Sequence, residues 1–188
     1  MPHSGKRQRI CLYDTAELDA VLDAMAHQVA ALLPAENAAL VGILRRGLPL
    51  ARMLQQRLGR LPGYRELPLY PLKVKRYGDD LSLLHAQTQL TESPELARLD
   101  LADTRLLVVD DVLYQGHSLL RTCAYLAQLG ARELRCAVLV DRCVCVRPVH
   151  ADVVGMRLQV APDDIVECNV PPYEEQFRID VLRHGGVR

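Results

Sequence analysis

Tryptophan is absent from this 188-residue chain, phenylalanine occurs once, and aromatic residues make up only 4% of it. A core without large rings has to be built from Leu, Val and Ala. Net charge is absent as well, because 23 Lys and Arg balance 23 Asp and Glu. A neutral chain offers no global electrostatic footprint for nucleic acid or an anionic membrane. No apolar run reaches the roughly 18 to 20 residues of a membrane span. The opening MPHSGKRQRI carries charge but no apolar centre, so it does not read as a secretory signal. These absences lead to the expectation of a cytoplasmic protein with no membrane partner. Its six cysteines, Cys11, Cys123, Cys136, Cys143, Cys145 and Cys168, are then expected to be reduced thiols. Cys143 and Cys145 form the only close pair, and no second pair stands at zinc spacing, so they read as small apolar filler near a strand.

What is present is an ordinary globular balance, 49% hydrophobic and 24% charged, of a length that suits one domain over 1–188. Residues 1–9, with Lys6, Arg7 and Arg9, read as a flexible solvated tail. Residues 14–33 predict an amphipathic helix. Leu18, Val21, Leu22, Met25, Val29 and Leu32 recur at steps of three and four, and Asp14 with Glu17 resembles a capping box. His27 inside this helix reads as a packed or half-exposed residue. AALVGIL (38–44) is a buried-strand run that ends in Arg45-Arg46-Gly47, with a helix to follow. Pro68 and Pro71 make 65–77 an edge strand or irregular. Residues 75–103 read as a flexible loop region; 78–104 are polar and turn-rich with only a weak helical signal near ELARL, and read as a lid or, more plainly, as a helix or hairpin with a poor signal. RLLVVD (105–110) and LRCAVLV (134–140) are buried strands, SLLRTCAYLAQLG (118–130) is a helix with a glycine stop, and two short strands lie in 151–158 and 163–168. Residues 169–188 form a C-terminal extension. Alternating strand and helix, with continuous apolar strands, predicts an α/β fold with a mainly parallel sheet.

In such sheets ligands bind beyond the carboxyl ends of the strands. Three loops leave those ends here: Arg45-Arg46-Gly47, Asp110 to Ser118, and Asp141-Arg142. The central stretch, LLVVDDVLYQGHSLL (106–120), runs from a buried strand into two carboxylates and a glycine turn that opens a helix. Taken alone, Asp-Asp could be a solvated turn. Together the three loops suit one ligand. The glycine turn offers free N–H groups and the positive end of a helix dipole to a phosphate, and Gln115 and Ser118 add donors. Asp110 and Asp111 suit a polyol or Mg²⁺. Arg45 and Arg46 suit a second anionic group. The ligand so inferred has a phosphate at one end, hydroxyls in the middle and an anionic leaving group beyond.

VVDDVLYQGHS (108–118) resembles the phosphoribosyl pyrophosphate (PRPP) motif of type I phosphoribosyltransferases, and VGILRRG (41–47) resembles their pyrophosphate loop. YGDDLS (77–82) resembles the start of their flexible catalytic loop. VLVDRCVCVRPVHADVVG (138–155) and the helix with MAHQV (25–29) resemble the pyrimidine-operon attenuator/uracil phosphoribosyltransferase branch, and the likeness runs from about residue 10 to 168. The resemblance implies the type I phosphoribosyltransferase fold: a mainly parallel sheet flanked by helices, with a small hood and a flexible catalytic loop. It implies that Asp110 and Asp111 meet the ribose hydroxyls, directly or through Mg²⁺. Gln115, Gly116, His117 and Ser118 would hold the 5′-phosphate, with Val112, Leu113 and Tyr114 completing the motif. Leu44, Arg45, Arg46 and Gly47 would meet the pyrophosphate, with an often-cis peptide near Leu44-Arg45. Lys75, Arg76 and the 78–95 loop would close over the site. Val140, Asp141 and Arg142 would lie near the nucleobase. The catalytic set implied is Asp110, Asp111, Arg45 and Arg76.

The reaction implied is displacement of pyrophosphate from ribose C1 by a base nitrogen. Purine enzymes of this fold commonly place an aspartate just before the phosphate turn. Tyr114 stands there, which favours uracil. PPYEEQFRID (171–180) faintly resembles the C-terminal region of purine enzymes, but the aromatic segment expected before it is not evident, and the echo is set aside. The branch usually reads Thr-Gly-Arg-Thr where this chain has Gln115-Gly116-His117-Ser118; the glutamine adds bulk and the histidine replaces a permanent charge. Cys143-Val144-Cys145-Val146 replaces polar and basic residues, which weakens a messenger-RNA partner. Three functions stay open: a uracil phosphoribosyltransferase, a catalytically weak nucleotide-binding regulator of pyrimidine gene expression, and a phosphoribosyltransferase for another base. The family also implies a homo-oligomer, a dimer or higher.

Overall fold

A computed structural model of the chain describes residues 7–73 and 93–183. The elements are β1 Gln8–Tyr13, α1 Thr15–Leu32, β2 Ala38–Leu44, α2 Gly47–Leu58, β3 Leu69–Lys73, a 3₁₀ turn Leu96–Arg98, β4 Arg105–Leu113, α3 His117–Gln128, β5 Glu133–Asp141, β6 Val153–Arg157, β7 Ile165–Asn169 and β8 Arg178–Arg183. Five strands form one sheet in the order β3-β2-β4-β5-β6, and every pair in it is parallel. The expected α/β class is therefore what the chain adopts.

Alternate residues of the central strands feed two cores, one on each face of the sheet. Leu40, Leu107, Val109, Ala137 and Leu139 face α1 and α2 in the larger core. Ala39, Val41, Leu106, Val108, Cys136 and Val138 pack with Leu119 and Leu126 of α3 on the other face. Strands buried on both faces read as unbroken apolar runs, which is why they were legible. β3 stands at the edge, where Pro71 is tolerated because one side of the strand has no partner among the described residues. The helix start is as the spacing predicts. The Asp14 carboxylate accepts the Glu17 N–H at 3.0 Å, and the Glu17 carboxylate accepts the Asp14 N–H at 2.9 Å. His27 is exposed and lies 2.8 Å from the Asp23 carbonyl. Among the described residues no helix is long and apolar enough to cross a membrane.

A second, antiparallel sheet of order β1-β8-β7 forms the hood. It corrects one expectation. Gln8 and Arg9 are not part of a tail, because both stand in β1 and pair with β8. Within the C-terminal extension, residues 178–183 form β8, the central strand of that sheet. The physical tie is a fully buried carboxylate, Asp180. It receives Arg9 Nη1 at 2.7 Å, Arg178 Nε at 2.9 Å and Asn169 Nδ2 at 3.2 Å. Such a network joins chain segments more than 160 residues apart, and no local pattern announces it. β4 also runs three residues beyond the expected stop at Asp110, so both aspartates lie inside the strand's end rather than in a turn.

Candidate active site

At the carboxyl end of β4, Asp110 and Asp111 are each only 4% exposed. The Asp111 N–H donates to Asp110 Oδ1 at 2.9 Å. Two adjacent buried carboxylates are costly to desolvate unless they meet donors or a cation. Past them the strand gives way to Tyr114, 46% exposed, and to Gly116, where α3 begins.

Gly116 is required on two counts. Its φ is +84°, and a Cβ there would lie 2.5 Å from Cys145 Sγ and 2.8 Å from Val149 Cγ2. Among the described residues no side chain caps α3 at this end, so its first-turn N–H groups are left for another acceptor. The segment after β5 buttresses the turn from behind, with the Val146 N–H donating to the Gln115 carbonyl at 3.3 Å. Cys145 is thus a support of the glycine turn, a role that its reading as filler does not capture.

The loop after β2 lies directly against the aspartates. A Cβ on Gly47 would strike the Val109 carbonyl and come within 3.0 Å of Asp110 Cα. The Leu44-Arg45 peptide is cis, as the resemblance implies. The Arg45 guanidinium lies 4.5 Å over the Tyr173 ring. Arg46 forms a two-pronged pair with Glu174, Nη2 to Oε1 at 2.5 Å and Nε to Oε2 at 3.2 Å. The hydrogen bonds to Glu174 raise the Arg46 pKa, and the negative charge of Asp111 adds to this. Arg46 in turn holds the Glu174 carboxyl below its ordinary value. From β7, Cys168 faces the same place. Burial pushes its thiol up, and the charge of Asp111 pushes further.

The third loop closes the set. Val140 is fully buried, and Asp141 Oδ1 accepts the Cys143 N–H at 2.8 Å. Arg142 is 7% exposed, and its guanidinium lies 5.1 Å over the Tyr114 ring. Its backbone N–H donates to the Leu113 carbonyl at 2.9 Å, and its Nε is buried without a hydrogen-bond partner among the described residues.

One edge of the sheet therefore gathers Leu44 to Gly47, Asp110 to Ser118 and Val140 to Arg142, in keeping with the sequence reading. Arg76, Lys75 and residues 78–92 of the expected closing loop lie outside the described residues. Tyr173 and Glu174 were not anticipated. Their one signal was the PPYEEQFRID echo, which carries no chemistry until the chain folds back. Among the described residues no three His, Cys, Asp or Glu cluster as a metal cage. Two carboxylates alone fit a Mg²⁺ ion that takes its remaining oxygens from substrate and water. A separate recess of about 380 Å³, lined by Asn37, Arg65, Glu66 and Thr104 among others, opens at the amino ends of the strands, away from these groups.

The phosphoribosyl transferase domain model matches residues 12–176. A relative named bifunctional protein PyrR, from Deinococcus radiodurans, is 39% identical over 137 residues, covering 72% of this chain and 73% of its own. Another of that name, from Elusimicrobium minutum, is 33% identical over 175 residues, covering 90% and 94%. Among solved structures, the hypoxanthine phosphoribosyltransferase of Trypanosoma cruzi superposes with a TM-score of 0.72 at 19% identity, covering 95% of this chain and 96% of its own. At that identity the likeness speaks for the fold alone.

Proposed function

The chain belongs to the phosphoribosyl transferase family, and from that premise we propose that it transfers the phosphoribosyl group of PRPP to uracil, forming UMP and releasing pyrophosphate. The observation that carries this reading is the meeting, on one sheet edge, of the buried Asp110-Asp111 pair with the uncapped glycine turn at the head of α3.

In this reading the N–H groups after Gly116, with Gln115, His117 and Ser118, hold the 5′-phosphate. The α3 dipole favours that negative charge. Asp110 and Asp111 accept the ribose hydroxyls and would hold Mg²⁺, which when bound supplies Lewis-acid stabilisation of the departing pyrophosphate. Arg45 and Arg46 face the same leaving group. As the C1–O bond to pyrophosphate lengthens, positive charge grows on the ribose and negative charge on the leaving oxygens. Cations and carboxylates already in place stabilise both at little reorganisation cost. The base is set beside C1 by the Val140 to Arg142 segment, and holding the partners together removes much of the entropy barrier. Arg76 and the 78–95 loop complete the proposal as the cover that excludes water. Uracil is favoured by Tyr114 where purine enzymes commonly carry an aspartate, and by identity with proteins named PyrR. A homo-oligomer is part of the same reading and is checked by light scattering.

The word bifunctional in the relatives' name favours one further reading, a regulator of pyrimidine gene expression that binds nucleotide and messenger RNA. Without a basic excess, any RNA affinity would reside in a local face and fall steeply with salt.

The test is pyrophosphate release from PRPP with Mg²⁺ across uracil, hypoxanthine, guanine, adenine and no base. Uracil-dependent release is expected. Release with a purine instead would overturn the substrate. Binding of PRPP without turnover would leave the regulatory reading. Asp110→Asn with Asp111→Asn is expected to abolish PRPP binding while the protein stays folded, and normal binding by that variant would remove the site assignment.

A further inference from the structure

We propose that Glu174 and Tyr173, on the segment between β7 and β8, are positioning residues for Arg46 and Arg45 in the pyrophosphate site; this rests on the function proposed above. The hood would then help build the leaving-group site as well as cover it.

An ion pair between two freely moving side chains orients neither of them. This one is tied at both ends. Glu174 Oε2 accepts the backbone N–H of Val170 at 2.8 Å as well as Arg46 Nε. Val170 is fully buried, and its carbonyl accepts the N–H groups of Tyr173 and Glu174 at 3.1 and 3.4 Å. The turn carrying Glu174 is therefore pinned to the core. At the other end, Arg46 directly precedes Gly47, which sits where only a glycine can pass the Val109 carbonyl. Both backbones are held, so the guanidinium between them is held too.

The geometry leaves capacity for a ligand. Glu174 takes Nε and Nη2 of Arg46, and among the described residues the Nη1 donors remain for a second acceptor. Tyr173 engages Arg45 through the flat face of the guanidinium, which leaves the N–H groups around its edge available. Each arginine is thus steadied by contacts that do not exhaust its donors. The Glu174 carboxylate also offsets repulsion between neighbouring cations, so both can stay close before any anion arrives. Arginines that would otherwise sample many rotamers are oriented beforehand, and preorganisation of this kind shows as affinity.

The experiment is titration calorimetry of the full chain with inorganic pyrophosphate and Mg²⁺, joined to steady-state kinetics with PRPP and uracil. Glu174→Ala and Tyr173→Ala are each expected to weaken pyrophosphate about tenfold, the order carried by one charge-assisted contact. The KM for PRPP rises with it, while the KM for uracil does not move. A merely structural role would affect both substrates. Glu174→Gln keeps an acceptor, and Tyr173→Phe keeps the ring; each is expected to recover most of the loss. Alanine variants that bind pyrophosphate as tightly as the unaltered protein would overturn the proposal. Tighter binding would overturn it too, by making Glu174 a competitor for the site. Should Glu174→Ala fail to fold, Tyr173→Ala carries the same test through Arg45. Arg46→Ala separates the two levels of argument. If it abolishes pyrophosphate binding while the Glu174 and Tyr173 variants do not weaken it, the positioning role alone fails. If the unaltered protein binds neither pyrophosphate nor PRPP, the phosphoribosyltransferase reading fails and takes the positioning role with it.

Discussion

At the scale of single residues, the site depends on what is missing from a backbone as much as on what is present. Gly116 combines a positive φ with two close neighbours, Cys145 and Val149. Gly116→Ala would meet both obstacles at once. A left-handed conformation costs about 1 to 2 kcal/mol for an L-residue, and overpacking adds about 1 to 3 kcal/mol. The expected outcome is a loss of about 2 to 5 kcal/mol in denaturant unfolding, with PRPP affinity falling as the turn shifts. A variant of full stability and full affinity would mean that Cys145 yields easily and is no real buttress. The Asp110-Asp111 pair shows the opposite logic. Two carboxylates are buried at a strand's end, against the usual preference of the residue type.

At the scale of elements, stability and ligand binding separate. α2 brings Arg46 to the site at one end and packs Leu54 into the larger core further along. Leu54→Ala is expected to cost about 2 to 5 kcal/mol, as buried leucine truncations do, and to leave PRPP affinity near its original value. Chemical denaturation and calorimetry on the same sample check both halves. The hood responds to acid instead. Burial opposes the charge of Asp180, yet hydrogen bonds from Arg178 and Arg9 outweigh it and hold the carboxyl below its ordinary value. A depressed folded-state pKa means that the stabilisation is full above the unfolded carboxylate pKa of about 3.9. It is lost as pH falls through the lower, folded value. Asp180→Asn is therefore expected to flatten the acid limb of the stability profile below about pH 4. Unfolding monitored from pH 2 to 7 would show it, and an unchanged acid limb would place the acid-sensitive group elsewhere.

At the scale of the whole molecule, the first and last strands, β1 and β8, meet where neither stretch of sequence suggests a partner. β1 and β8 pair antiparallel, Arg9 reaches Asp180 and Glu167, and the strand so formed carries the 170–177 segment onto the arginines. The hood and the parallel sheet thus share one site. Truncation of residues 1–13 is expected to lower the affinity for pyrophosphate as well as the midpoint of thermal unfolding, because removing β1 loosens the sheet that holds Tyr173 and Glu174. Calorimetry of the truncated chain checks this; stability lost with pyrophosphate affinity intact would show that the hood and the arginines are uncoupled.

By itself the sequence determined the elements whose signal is local. Continuous apolar runs placed β2, β4 and β5, a spaced apolar face and a capping box placed α1, and a glycine after two aspartates placed the turn that opens α3. The strands, the helix and the turn that opens α3 were legible because burial on both sheet faces, helical periodicity and left-handed turns each leave a mark within about ten residues of chain. The three loops could be assigned to one edge because parallel strands put all their carboxyl ends on the same side. What only the tertiary structure decided depends on residues distant in sequence. Arg9 looked like a solvated charge until Asp180 was buried beside it. Cys145 looked like filler until Gly116 came to rest against it. Glu174 and Tyr173 carried no pattern until the hood folded back onto Arg46 and Arg45. An ion pair, a close contact or a ring stacked on a guanidinium has no period and no spacing, so it comes into being only with the fold.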